Sequence, residues 1–161
     1  MKTLEHQGQF SIIGYQPYNN PYNTSLPFLS DPQSSLSIKP AILLAEDHPL
    51  IQKVCCNYLQ ALNCQVDIFS DGQAALKHYQ LHPASYDLII LDINMPILSG
   101  IEVCTYIRSF MKNTTLPIIA HSTFEEVSET ECYQAGFNAC IKKPVTLQQL
   151  EKVLAIWLPT L

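Results

Sequence analysis

The chain has 161 residues, a length typical of one domain with room for an additional segment. Apolar residues make up 47% of it, enough for a buried core, and the net charge of −5 argues against a non-specific nucleic-acid binder. The sequence contains no apolar run as long as a membrane span and no apolar signal-peptide core at its start, so we expect a cytoplasmic protein without membrane insertion.

Residues 1–38 differ in composition from the rest of the chain. Four prolines alternate with asparagines and serines, and neither helical nor strand periodicity is present. This pattern predicts an irregular or disordered N-terminal tail or linker. Its five aromatic residues leave open a second interpretation, in which the segment docks on a partner or on the domain itself. Residues 39–161 are predicted to form the folded domain.

In that domain, short apolar strands alternate with amphipathic helices. Asp47 is predicted to cap the first helix, with Pro49 in its first turn. Glu125 and Glu126 are predicted for the first turn of the fourth helix, which closes at Gly136. The predicted strands are residues 41–45, 64–69, 88–91, 117–121 and 138–141.

Strands separated by single helices require a parallel sheet with right-handed crossovers. The predicted fold class is therefore α/β, a flavodoxin-like (βα)5 three-layer sandwich with strand order 2-1-3-4-5. The six cysteines contain no Cys-x-x-Cys spacing, and Cys55 and Cys56 are adjacent on a predicted helix. We interpret them as small apolar residues rather than as a disulfide framework.

Groups suited to phosphoryl chemistry follow four of the five strands, and the carboxyl ends of parallel strands meet at one edge of the sheet. Three neighbouring carboxylates repel one another unless one is protonated or a cation binds them, and such oxygen ligands suit Mg²⁺. The groups are Glu46 and Asp47 after strand one, Asp92 after strand three, Ser122 and Thr123 after strand four, and Lys143 after strand five.

This set of side chains favours a phosphoryl acceptor. A carboxylate such as Asp92 can attack a phosphoryl group, while Lys143 would supply positive charge and Ser122 a hydroxyl donor. Taken singly, each group has an ordinary explanation: a helix cap, a strand end or a solvated turn lysine. The conjunction of all of them at one sheet edge is what points to function.

The sequence resembles the receiver domain of two-component response regulators over about residues 41–158. Residues 52–54 and 71–76 are most similar to receivers attached to hybrid sensor histidine kinases. The motifs that carry the resemblance are Glu46-Asp47, residues 92–96 with Gly100, residues 117–120 leading to Ser122, and Lys143-Pro144.

The resemblance implies a role for each matching residue. Asp92 would be the phosphorylated aspartate, Lys143 would contact the phosphoryl oxygens, and Ser122 would be the switch hydroxyl. Asp47 and Asp92 would bind Mg²⁺ directly together with the backbone carbonyl of Asn94. Glu46 would act on the metal largely through water. The Lys143-Pro144 bond is expected to be cis.

The resemblance also implies partners. The phosphoryl donor would be a phosphohistidine on a sensor histidine kinase or a histidine phosphotransfer protein. We expect no direct nucleic-acid contact, and homodimerisation through the face of helix 4, strand 5 and helix 5 is a further expectation. The chain would be a signalling domain rather than an enzyme, catalysing only its own aspartyl phosphorylation and dephosphorylation.

Three residues depart from the family pattern. Cys140 stands where an aromatic residue is common, which puts the usual coupling to an output face in doubt, and Thr123 replaces a common small alanine. His121 replaces an apolar residue and is interpreted either as a satisfied core histidine or as a pH-sensitive neighbour.

Two alternative functions stay open. One is a pseudo-receiver that binds partners without being phosphorylated, which should not respond to Mg²⁺. The other is an aspartyl phosphatase of the haloacid dehalogenase class, which should turn over small phosphomonoesters. That class has a second acidic residue two positions after its nucleophile, where this chain has Asn94.

Overall fold

The computed structural model describes residues 39–123 and 127–158. Within them, five strands and five helices alternate along the chain, and the strands form one parallel sheet in the order β2-β1-β3-β4-β5. The predicted fold is therefore confirmed. The elements are β1 (Ala41–Ala45), α1 (Pro49–Ala61), β2 (Gln65–Phe69), α2 (Gly72–Leu81), β3 (Leu88–Asp92), α3 (Gly100–Ser109), β4 (Ile118–Ser122), α4 (Glu129–Ala135), β5 (Ala139–Lys142) and α5 (Leu147–Trp157).

Helices cover both faces of the sheet, which explains why β3 is an unbroken apolar run up to Asp92. Because side chains alternate along a strand, Ile89 and Leu91 pack on the side of α2, α3 and α4. Leu88 and Ile90 pack on the side of α1 and α5. The carboxyl end of β3 therefore lies in the middle of the sheet edge formed by the carboxyl ends of the strands, between β1 and β4.

The start of α1 differs from the prediction. His48 is the N-cap residue and makes no side-chain cap bond, so the prediction that Asp47 caps this helix is wrong. Pro49 occupies the first turn and has no N–H group that would need a cap. The carboxylate of Asp47 lies instead beside those of Glu46 and Asp92.

The fourth helix begins at Glu129, where Ser128 and Glu131 form a reciprocal capping box that the sequence interpretation missed. It ends at Gly136, as predicted, with the left-handed φ of 101° that glycine tolerates. The predicted tail, residues 1–38, and the predicted first-turn acids Glu125 and Glu126 lie outside the described residues.

All six cysteines are free, and four of them are buried. This burial agrees with their interpretation as small core residues. Among the helices of the described ranges, none combines the length and apolarity needed to cross a membrane.

Candidate functional site

The ends of β1, β3 and β5 bring three charged side chains into contact. Asp92 is the last residue of β3, Glu46 follows β1, and both are almost completely buried. Lys143 follows β5, and its Nζ lies 2.8 Å from Asp92 Oδ2 and 3.1 Å from Glu46 Oε2. One ammonium group therefore bridges two buried carboxylates from different strands.

Asp47 adds a third carboxylate, exposed to solvent. One oxygen each from Glu46, Asp47 and Asp92 lies within 4.8 Å of the others. With all groups ionised, the single charge of Lys143 leaves two negative charges among these four side chains. A cluster of hard oxygen ligands with this excess charge fits Mg²⁺. Asn94 lies beside it, with its backbone N–H donating to Asp92 Oδ1 at 3.3 Å.

A glycine allows α3 to pack closely against the end of β3. A Cβ atom at Gly100 would lie 2.2 Å from the backbone oxygen of Asp92, closer than any side chain could approach. The Gly100 N–H donates to the carbonyl of Ile93 at 3.0 Å. Ser99 and Glu102 form a capping box directly before this contact. The loop that follows Asp92 is therefore held at both ends.

Burial and charge act in opposite directions at the two buried acids. Burial, together with the charge of Glu46, raises the pKa of Asp92 to about 6, although Lys143 opposes the rise. Burial also tends to raise the pKa of Glu46, but the hydrogen bond from His121 and the charge of Lys143 outweigh it and lower that pKa. Burial tends to lower the pKa of Lys143, but its contacts with Asp92 and Glu46 raise it.

Ser122 is fully buried at the end of β4, and its hydroxyl donates to the carbonyl of Thr123 at 2.8 Å. The hydroxyl is thus engaged with the adjacent backbone. The bond between Lys143 and Pro144 is cis, as the resemblance implied. Cys140 is half-buried and packs on the side of α2, α3 and α4.

His121 belongs to the charged network, which the sequence interpretation did not establish. Its side chain is 1% exposed, and Nδ1 lies 3.1 Å from Glu46 Oε2. The only sequence signal was a polar residue next to the end of an apolar strand. Its contact partner, Glu46, is 75 positions away, too far for any local pattern to reveal the pairing.

An apolar groove borders the charged site. Leu50 and Val54 of α1 are apolar but 70% and 40% exposed. The groove has a volume of about 440 Å³. Its lining residues are Leu50, Ile51, Val54, Thr123, Lys143, Pro144 and Val145.

Comparison with known proteins gives a consistent result. The sequence model of the family described as "Response regulator receiver domain" matches residues 42–155. "Histidine kinase 5" of Arabidopsis thaliana is 34% identical over 148 residues, covering 74% of this chain and 16% of that protein. "Sensor histidine kinase RcsC" of Salmonella typhi is 32% identical over 119 residues, covering 72% of this chain and 12% of that protein. The chain thus spans less than a fifth of the length of these curated relatives.

Two solved structures bear on the site. The receiver domain of sensor histidine kinase PA1611 from Pseudomonas aeruginosa, with a magnesium ion in its active-site cleft, has a TM-score of 0.68 and 31% identity. The match covers 75% of this chain and 98% of that one. The receiver domain of Saccharomyces cerevisiae Ssk1, crystallised with the histidine phosphotransfer protein Ypd1, has a TM-score of 0.67 and 25% identity. That match covers 74% of this chain and 88% of the other.

Proposed function

The chain belongs to the response regulator receiver domain family, and we propose that it is a phosphoacceptor module that takes a phosphoryl group from a phosphohistidine onto Asp92 with Mg²⁺. One observation carries this proposal. The carboxylate of Asp92 sits at the end of the central strand, 2.8 Å from a lysine ammonium and within a cluster of three acids. The magnesium-bound PA1611 receiver, a relative of similar fold, supports the choice of metal.

In the proposed reaction, an oxygen of Asp92 attacks the phosphorus of the phosphohistidine. A P–O bond forms, the P–N bond breaks, and the imidazole leaves with the electron pair. Lys143 is already in contact with Asp92 Oδ2, so its ammonium can move a short distance to a phosphoryl oxygen. Ser122 would give up its bond to the Thr123 carbonyl and donate to the phosphoryl group.

Glu46, Asp47 and Asp92 would hold the metal, together with the backbone carbonyl of Asn94. The chemistry that Mg²⁺ supplies when bound is neutralisation of charge on the phosphoryl oxygens. The chain's own residues orient the acceptor. The Asn94 N–H and the Lys143 ammonium each bind one oxygen of Asp92, which limits rotation of its carboxylate.

The groove beside Lys143 is where we expect the phosphodonor to bind. Its exposed apolar side chains, Leu50 and Val54, lie on α1 next to Pro144 and Val145, so a donor seated there reaches the acid cluster. A sensor histidine kinase or a histidine phosphotransfer protein is the proposed partner. The Ssk1 receiver, a structural neighbour of this chain, was crystallised with Ypd1, and the two are an example of such a pair.

Three further predictions accompany this function. The module would be a signalling domain rather than a metabolic enzyme. A cytoplasmic location suits its six free thiols, which reducing compartments preserve. Homodimerisation through α4, β5 and α5 stays a prediction, and Tyr133 and Ile156 are exposed apolar residues on those helices.

Intact-mass measurement after incubation with acetyl phosphate and Mg²⁺ tests the proposal. The wild-type protein should gain the mass of one phosphoryl group, and Asp92→Ala should gain none. The matched control is Asp71→Asn, because Asp71 also follows a strand but caps α2 by accepting from the Ala74 N–H at 2.7 Å. Asparagine caps helices as well as aspartate does, so this variant should be modified like the wild type.

Absence of a mass gain in the wild type, or an equal gain in Asp92→Ala, contradicts the proposal. A protein that also fails to respond to Mg²⁺ would be the pseudo-receiver. Steady turnover of a small phosphomonoester would instead indicate a phosphatase.

A further inference from the structure

A histidine is buried beside the acid cluster, on a strand whose other residues are mostly apolar. His121 lies on β4 opposite Asp92 of β3 and is 1% exposed. Within residues 39–123 and 127–158, its Nε2 is the single buried side-chain nitrogen or oxygen without a hydrogen-bond partner. Burial of an unpaired polar atom costs about 1–3 kcal/mol. The contact made by the other ring nitrogen, Nδ1, is therefore the polar interaction that can offset this cost.

That contact is with Glu46. The distance from His121 Nδ1 to Glu46 Oε2 is 3.1 Å. An ionised carboxylate only accepts hydrogen bonds, so Nδ1 must carry a hydrogen. The other ring nitrogen, Nε2, has no hydrogen-bond partner among the described residues. Among the described residues, Glu46 is therefore the single hydrogen-bond partner of the ring.

Glu46 has one other side-chain donor in the described residues, Lys143, whose Nζ lies 3.1 Å from Oε2 and 3.4 Å from Oε1. The same ammonium binds Asp92 at 2.8 Å. In the proposed function, this ammonium turns to the phosphoryl oxygens. The buried Glu46 carboxylate then keeps the His48 backbone N–H, 3.3 Å from Oε1, and the His121 ring.

We propose that His121 is a positioning residue that holds the Glu46 carboxylate in the metal pocket through an Nδ1–H···Oε2 hydrogen bond, including when Lys143 turns to the phosphoryl group. This inference rests on the proposed function. Its consequence is that the affinity for Mg²⁺ depends on a histidine that touches neither metal nor phosphoryl group. Loss of such an outer partner lowers metal affinity by about 10- to 100-fold in metal sites generally.

Calorimetric titration of Mg²⁺, without any phosphodonor, is the primary test. His121→Leu introduces an apolar side chain of similar length and removes the donor, so the Mg²⁺ dissociation constant should rise about 10-fold or more. His121→Asn places an amide nitrogen near the position of Nδ1 and should restore most of the affinity. Ile119→Val is the matched control, because Ile119 is equally buried on the same strand and the same face, and its affinity should stay that of the wild type.

The rate of phosphoryl gain from acetyl phosphate gives a second readout. In His121→Leu, the Mg²⁺ concentration for half-maximal rate should rise while the rate at saturating Mg²⁺ changes little, because Asp92 and Lys143 remain. A merely structural role would not produce this separation. Should His121→Leu fail to fold, His121→Gln replaces it, since its amide nitrogen lies near the position of Nε2 and should not restore affinity.

Wild-type Mg²⁺ affinity in His121→Leu, or equal affinities in the asparagine and glutamine variants, would overturn the inference and leave the proposed function standing. Failure of the wild type to bind Mg²⁺ or to gain a phosphoryl group would instead remove the proposed function itself.

Discussion

Replacement of Asp92 by asparagine should stabilise the fold at neutral pH when no metal is present. Burial, with help from the charge of Glu46, raises the pKa of Asp92 from 3.8 to about 6 despite Lys143. The folded protein therefore binds this proton more tightly than the unfolded chain does. Between pH 3.8 and about pH 6, the native state holds more protons than the unfolded state, so the free energy of unfolding falls as the pH rises.

The magnitude follows from the pKa difference. At about 1.4 kcal/mol for each pKa unit, the ionised Asp92 destabilises the fold by about 3 kcal/mol above pH 6. This penalty disappears well below pH 3.8, where the group is protonated in both states. An asparagine side chain at this position is a neutral isostere with no such penalty. At pH 4 roughly 0.5 kcal/mol of the penalty is already present, so Asp92→Asn should gain about 2.5 kcal/mol at pH 7.5 relative to pH 4, compared with the wild type.

Urea unfolding in EDTA, followed by the fluorescence of the single tryptophan, Trp157, measures this difference at both pH values. Groups remote from the site are common to the two proteins, so the difference between the pH dependences reports Asp92 together with its charged neighbours Glu46 and Lys143. Addition of Mg²⁺ should stabilise the wild type more than Asp92→Asn, because a metal that binds only the native state raises its stability and the variant lacks one of the three carboxylates. Identical pH dependence of the unfolding free energy in the two proteins would refute the reasoning that burial raises the pKa of the Asp92 carboxylate.

Three further substitutions test how the site is held. Gly100→Ala should destabilise the fold by about 2 kcal/mol or more, measured by urea unfolding, because its methyl group would meet the Asp92 carbonyl. Arg108 donates to three oxygens and so joins the end of α3 to the loops that precede β4 and β5. Arg108→Lys cannot reach all three and should lower the thermal unfolding temperature by several degrees, an effect of about 1–3 kcal/mol. Ser128→Ala should cost about 1 kcal/mol by loss of its capping box with Glu131, and an unchanged unfolding midpoint would contradict the described start of α4.

Much of the fold was available from local patterns. The five apolar runs, each followed by an amphipathic helix, were sufficient to predict the parallel sheet and its order. The same patterns predicted that Glu46, Asp92 and Lys143 would meet, because parallel strands display their carboxyl ends at one edge. The alternation of strands and helices therefore follows from local features, whereas the strand order was predicted from the flavodoxin-like arrangement that this alternation suits.

Local patterns failed where two signals competed at one position. Asp47, an acidic residue just before a helix, has the features of an N-cap, yet the cap is His48 and Asp47 lies with the acid cluster. The start of α4 at Glu129 is marked by the capping box of Ser128 and Glu131, a signal that the sequence interpretation missed. Cap propensity identifies Asp47 as a suitable N-cap residue. The path of the chain after β1 nevertheless places His48 at the N-cap position.

By itself, the sequence determined which side chains stand at the ends of the strands, because apolar periodicity marks where each strand stops. Only the tertiary structure decided how those side chains pair. Lys143 bridges Glu46 and Asp92, and His121 binds Glu46 across 75 positions of sequence. These pairings depend on strand register and on the face to which each side chain points, and both are set by packing between distant segments.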